Sequence, residues 1–187
     1  MLKLNKGDIL YHASYTEIKN IEISLCSKGK DFGQGFYLTK DFVQAQKFVK
    51  SGVNKAKLEN KIPVVQDYGF VNIYKVSDVT ELLEFDFDTA DKDWLHYVSG
   101  NRNGSLFSDI IQELSGFNVI GGKIANDQTA ATLNLYINYA YGTPGSREAD
   151  DFCIRKLLPD RLSNQYCFKT REAVDSLIFT EAVKVKL

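Results

Sequence analysis

Asp31-Phe32-Gly33-Gln34-Gly35-Phe36-Tyr37-Leu38-Thr39-Lys40-Asp41 is the stretch from which the fold is read. Its two glycines let the backbone turn sharply or approach a ligand closely. Gly35 to Thr39 then reads as a strand. Asp41 reads as a helix N-cap, with Gln44 placed as in a capping box. Phe42, Ala45, Phe48 and Val49 form the apolar stripe of the helix that follows. Upstream, Asp8 to Ser14 alternates Ile9 and Tyr11 against Leu10 and His12, as a short strand does.

Downstream, Phe70 to Val76 is rich in β-branched and aromatic residues and predicts a strand. Glu81 to Phe85 is a second candidate. Asp91 to Arg102 reads as a helix, with Trp94 in the core and His96 exposed. Val119-Ile120 leads through Gly121-Gly122 to a helix that Asp127 can cap and that runs to about Tyr139. The Gly142-Thr143-Pro144-Gly145 cluster is a turn. Asp150 to Leu158 predicts a helix and Gln165 to Phe168 a short strand. Thr170 caps a brief helix, and Ile178 to Val185 closes the chain as a strand. Regular strand–helix–strand alternation is absent, which excludes a doubly wound parallel sheet and predicts an α+β fold with mostly antiparallel pairing.

The chain has 187 residues, 44% hydrophobic and 25% charged, which is the range of one globular domain with a real core. A net charge of −1 supplies no global basic field to steer it to nucleic acid or anionic lipid. Cys26, Cys153 and Cys167 form no C-x-x-C pair, so neither a disulfide framework nor a structural zinc site is expected, and each reads as a small packing residue. No apolar window approaches the ~20 residues of a membrane span, and no signal peptide is evident. The expectation is a cytoplasmic protein. No P-loop or dinucleotide fingerprint occurs, and the two histidines have no metal-ligand spacing.

His12 by itself reads as a structural residue of its strand, and the Gly33–Tyr37 corner by itself as a hairpin turn. Together they carry more. Ala13 and Ser14 are small, so a flat ligand could reach the backbone there, and G-x-G-F-Y-L-T leads straight into a helix. This combination resembles the first two blocks of the ADP-ribosyltransferases, in the branch that includes diphtheria toxin and the poly(ADP-ribose) polymerases. The chain also resembles an uncharacterised bacterial family of that superfamily. The shared features are the Phe32-Gly33-Gln34-Gly35-Phe36-Tyr37 block, Trp94-Leu95-His96-Tyr97-Val98 to Asn101-Arg102, Ile124-Ala125-Asn126-Asp127, and Gln165 to Thr170. The likeness covers roughly Asp8 to Phe179.

The resemblance implies one ADP-ribosyltransferase-like domain over residues 1–187, a split sheet flanked by helices, and NAD as co-substrate. His12 would bond a ribose hydroxyl. The backbone of Ala13, where the family usually has Gly, would receive the nicotinamide amide. Gly33 and Gly35 would shape the same pocket, and Tyr37 would present its ring to the nicotinamide. Offset stacking there is worth roughly 0.5–1.5 kcal/mol, with cation–π attraction added by the charged ring. Arg102 would neutralise the NAD diphosphate, although a helix-end Arg explains it equally. Asn126 and Asp127 would shape the acceptor side of the cleft.

Gln165 would be the third catalytic residue. The family often has Glu there, which stabilises the oxocarbenium-like ribose as nicotinamide leaves. Gln165 carries no charge and would orient instead. Glu172 would supply the acid in another register, and otherwise is a first-turn helix charge. The implied activity is mono-ADP-ribosylation of a macromolecule, protein or nucleic acid, as in bacterial toxins held by an antitoxin partner. NAD hydrolysis and a catalytically inactive NAD-binding module are the alternatives.

Overall fold

The computed structural model describes residues 3–124, 127–158 and 162–187. In chain order these form β1 (Ile9–Ser14), β2 (Phe36–Leu38), α1 (Phe42–Leu58), β3 (Tyr68–Val76), β4 (Glu84–Asp86), α2 (Lys92–Arg102), α3 (Ser108–Glu113), β5 (Val119–Lys123), α4 (Asp127–Ile137), α5 (Arg147–Leu157), β6 (Asn164–Phe168), α6 (Arg171–Asp175) and β7 (Leu177–Lys186). The fold is α+β, as expected. One sheet has the order β1-β3-β7 and the other β2-β6-β5-β4. Pairing is antiparallel except between β4 and β5, which run parallel.

The two sheets meet where Tyr11 and Thr39 exchange both backbone hydrogen bonds, at 2.8 and 3.0 Å. Strand alternation then sorts the side chains into layers. Leu10, Phe36, Leu38, Tyr166 and Phe168 pack between the sheets with Tyr74 and Val76. Cys167 faces the other way, into a cluster with Phe32, Trp94, Tyr97, Ile120 and Tyr136 beneath α2, α4 and α5, and Tyr37 packs against that cluster. The third layer is α1, whose Ala45, Val49 and Val53 cover Val71. Fully burying a side chain of this size stabilises by about 1.5–3 kcal/mol. Trp94 has no exposed surface, and its Nε1 donates to the Lys123 carbonyl at 3.0 Å.

Several expectations are refined. Asp41 caps α1 by accepting from the Gln44 backbone at 3.0 Å. The reciprocal half of the capping box is absent, because Thr39 Oγ1 takes the Asp41 N–H at 3.1 Å and itself donates to Gln44 Oε1 at 2.9 Å. The strand expected from Glu81 begins only at Glu84. α5 starts earlier than Asp150, at Arg147, with Ser146 as its cap. α3 was not foreseen. The roles expected of Asn126 and the Asp127 side chain fall outside the described residues.

His96 is not exposed as expected. Its side chain is 14% accessible, its Nε2 lies 2.8 Å from Asp150 Oδ2, and its ring stacks on Phe107 at 3.9 Å. Asp150 is buried and also accepts from the Tyr136 hydroxyl at 2.5 Å and the Gly145 N–H at 3.1 Å. A buried carboxylate must be satisfied in this way. The network ties α2, α4 and α5 together and lies apart from the residues considered next.

Among the described residues, no helix is long and apolar enough to cross a membrane. Cys26, Cys153 and Cys167 are free thiols, the last two buried.

Candidate functional site

Beside the Tyr11–Thr39 junction lies a cleft of about 930 Å³, lined by residues of both β1 and β2. That volume suits a ligand of nucleotide size or larger. His12, Ala13, Gly35, Tyr37, Arg102 and Gln165 all line it. The register explains the convergence. Tyr37 pairs with Cys167 across β2 and β6, and Gln165 lies one pleat further along the same face as Cys167.

His12 is half-buried, and its ring stacks on Phe36 at 4.2 Å. Nδ1 lies 2.7 Å from the Tyr37 carbonyl oxygen. A carbonyl only accepts, so Nδ1 carries the proton and Nε2 offers its lone pair. Burial pulls the imidazole pKa down to about 4, partly offset by the hydrogen bond to Tyr37. At neutral pH the ring is an uncharged acceptor with a fixed tautomer. Nε2 has no partner among the described residues.

Tyr37 is held at its tip. Its hydroxyl accepts from Phe32 N–H at 2.9 Å and donates to the Gly33 carbonyl at 2.7 Å. Burial raises the phenol pKa well above its usual range. The hydroxyl is therefore structural, and the ring is what remains to offer a ligand. Gln165 is half-buried, and its side-chain amide makes no hydrogen bond to any described residue. Glu172 is exposed on α6 and is not among the residues that line the cleft.

The two glycines of the corner have packing reasons. A Cβ on Gly35 would lie 2.5 Å from Cys167 Sγ and 2.7 Å from the Phe168 carbonyl oxygen. Gly33, with φ of +84°, would place a Cβ 2.7 Å from Asn101 Oδ1, and it does not line the cleft. Arg102 does line it, but Nε and Nη2 lie 2.8 and 2.6 Å from one oxygen of Asp31. That pair joins α2 to the start of the Gly-rich corner.

α1 supplies a wall that the sequence reading did not single out. Phe48, Gly52 and Lys55 lie along one face of it and line the cleft. Gly52 is mid-helix, yet a Cβ there would meet nothing within 4 Å. An alanine would suit the helix better by about 1 kcal/mol. Lys30, in the loop before the corner, lines the same cleft. Helical periodicity could have found the α1 face, since it runs beside the buried stripe of Ala45, Val49 and Val53.

A second cavity, of about 630 Å³, lies near the N-terminal segment and β4, lined by Leu4, Val79, Leu82 and several acids. It holds none of the expected site residues. Among the described residues, no group of three or more His, Cys, Asp or Glu side chains is placed to hold a metal ion.

A family model described as "Protein of unknown function (DUF3990)" matches residues 9–179. The chain belongs to that family. The match spans every residue of the cleft named above, from His12 to Gln165. No curated protein matches the chain.

Proposed function

We propose that this DUF3990 chain binds NAD in the cleft, breaks the nicotinamide–ribose bond and transfers ADP-ribose to a macromolecule. The observation that carries the reading is the convergence of three groups. His12 offers an uncharged Nε2 acceptor, Tyr37 a ring whose hydroxyl is tied down, and Gln165 an amide with no hydrogen bond to any described residue, all on one cleft. They lie in the order and on the elements that the resemblance to ADP-ribosyltransferases calls for.

In this reading His12 Nε2 accepts from a ribose hydroxyl and the Tyr37 ring stacks on the nicotinamide. The C1′–N bond breaks, and its electron pair leaves with nicotinamide, which becomes neutral. The acceptor's nucleophile attacks C1′ and gives up its proton. Gln165 holds the ribose for that attack by hydrogen bonding. A chain of this kind would be toxic to the cell that makes it, and a neutralising partner protein belongs to the same reading.

The uncharged Gln165 favours a second reading, NAD binding with slow turnover or none, because no carboxylate stands at that point to stabilise the oxocarbenium charge. The test is nicotinamide release from NAD by the purified chain, beside His12→Ala and Tyr37→Ala, with and without cell lysate. Release that needs lysate and fails in both variants supports the transferase. Release without lysate makes water the acceptor. NAD binding without release supports the second reading. A chain that neither releases nicotinamide nor binds NAD refutes both.

A further inference from the structure

We infer that the exposed face of α1, together with Lys30, is a binding site for the diphosphate of a nucleotide, in which Lys30 and Lys55 hold the anion and Gly52 lets the ligand lie against the helix backbone. The inference deepens the NAD reading by adding a second end to the same cleft. It rests on that reading only for what occupies the His12 end.

Three observations carry it. The first is Gly52. In α2 a glycine is required by contact, at Gly100, where a Cβ would lie 2.8 Å from the Leu106 carbonyl oxygen. At Gly52 nothing occupies the space, φ is not in the left-handed region, and the residue faces the cleft. Neither packing nor backbone conformation calls for glycine there. A ligand that must approach the helix closely does.

The second is charge. The acidic side chains lining the cleft are matched by cations. Asp31 pairs with Arg102 at 2.6 Å, Glu59 with Lys61 at 2.7 Å and Lys55 at 3.6 Å, Glu17 with Lys19 at 3.9 Å and Glu22 with Arg171 at 3.9 Å. Lys30 forms no ion pair with any described carboxylate. Partial burial and the nearby positive charges of Lys55 and Arg102 make its ammonium easier to deprotonate than usual, with Asp31 and Glu59 opposing. Lys30 and Lys55 both line the cleft, and a compact polyanion bound there is attracted by both ammonium groups.

The third is the character of the wall. Phe48 stands on the same face one turn before Gly52, and Lys55 one turn after it. An aromatic ring, an open stretch of backbone and an ammonium in sequence suit a planar base attached to a diphosphate better than an acidic peptide, whose carboxylates are single charges spread along a chain.

The test is calorimetric titration of the full chain with ADP, inorganic diphosphate and NAD. The variants are Gly52→Leu, the double variant Lys30→Gln/Lys55→Gln, and His12→Ala. Gly52→Leu fills the space with a better helix former, so its thermal midpoint should hold or rise while ADP affinity falls tenfold or more. The double lysine variant should lose at least tenfold for ADP and diphosphate and flatten the salt dependence of binding. ADP and NAD binding unchanged in these variants overturns the diphosphate site and leaves the NAD reading standing. ADP binding that is lost in them, with NAD affinity indifferent to His12→Ala, supports the diphosphate site and removes the NAD reading. A wild-type chain that binds none of the three ligands overturns both.

Discussion

Arg102 closes on a single oxygen of Asp31 with Nε at 2.8 Å and Nη2 at 2.6 Å, linking the end of α2 to the first residue of the Gly-rich corner. The two side chains are 18% and 10% accessible, so neither charge is well hydrated. The pair holds the corner that in turn holds Tyr37. Removing one partner of a buried pair costs about 3–5 kcal/mol. Partial exposure moves Arg102→Met towards 2–3 kcal/mol in urea unfolding. The double variant with Asp31→Asn should cost clearly less than the sum of the single changes. Additive losses would show that the two groups act independently.

The hydrogen bond from His12 to Tyr37 predicts a single tautomer. Long-range ¹H–¹⁵N spectra at pH 7 should show the proton on Nδ1 and none on Nε2. A depressed histidine pKa also has a stability consequence. The native imidazole pKa is about 4, against 6.5 for the free side chain. Between those values the unfolded chain binds the proton and the native one does not, so stability rises with pH. The contribution is fully present above pH 6.5 and is lost as pH falls through 4. Its full size is on the order of 3 kcal/mol. Unfolding free energies at pH 7 and pH 4.5 should differ less in His12→Asn than in the wild type. Equal slopes would mean that the imidazole is not held neutral.

Gly35 has no room for a side chain against β6, where the nearest obstacles are a buried thiol and a strand carbonyl. Gly35→Ala should cost about 2–4 kcal/mol, because β2 must lift from β6. Gly104→Ala, where a Cβ would meet nothing within 4 Å, is the control. It should stay within about 0.5 kcal/mol. Similar midpoints for the two variants would mean that β2 yields easily, and that Gly35 is there for another reason.

Gln165→Glu places a carboxylate where the proposed chemistry develops positive charge. On the NAD reading, nicotinamide release should rise ten- to a hundredfold, equivalent to about 1.4–2.8 kcal/mol of transition-state stabilisation. Gln165→Ala should lower NAD affinity. If Gln165→Glu leaves a measurable rate unchanged, the side chain does not lie beside the reacting ribose.

Much of this molecule is legible in the order of its residues. β1, β3 and β7 show in alternation or in β-branched runs, and α1, α2 and α6 show in a cap followed by a helical pattern. α3 does not, because it spans only Ser108–Glu113 and its N-cap is Phe107 in the left-handed region at φ +53°, not a Ser, Thr, Asp or Asn. His96 was misjudged because nothing near it in sequence hides it. Its partners Asp150 and Phe107, and Tyr136 which touches both of them, come from three other segments.

The sequence by itself determined the α+β class, the absence of regular βαβ units and the local identity of His12, the Gly33–Tyr37 corner and Gln165, because periodicity, caps and turn residues act over a few neighbours. The tertiary structure alone decided what those residues face. Only the pairing of β2 with β6, from distant parts of the chain, puts Tyr37 and Gln165 on one face of the sheet. Only the meeting of the sheets at Tyr11 and Thr39 brings His12 to the Tyr37 carbonyl. Only the packing of α1 over β3 brings Gly52 and Lys55 to the same cleft as Lys30. Strand register and helix docking are non-local, settled by which apolar faces can be buried together, and a site assembled across them cannot be read from any one of its segments.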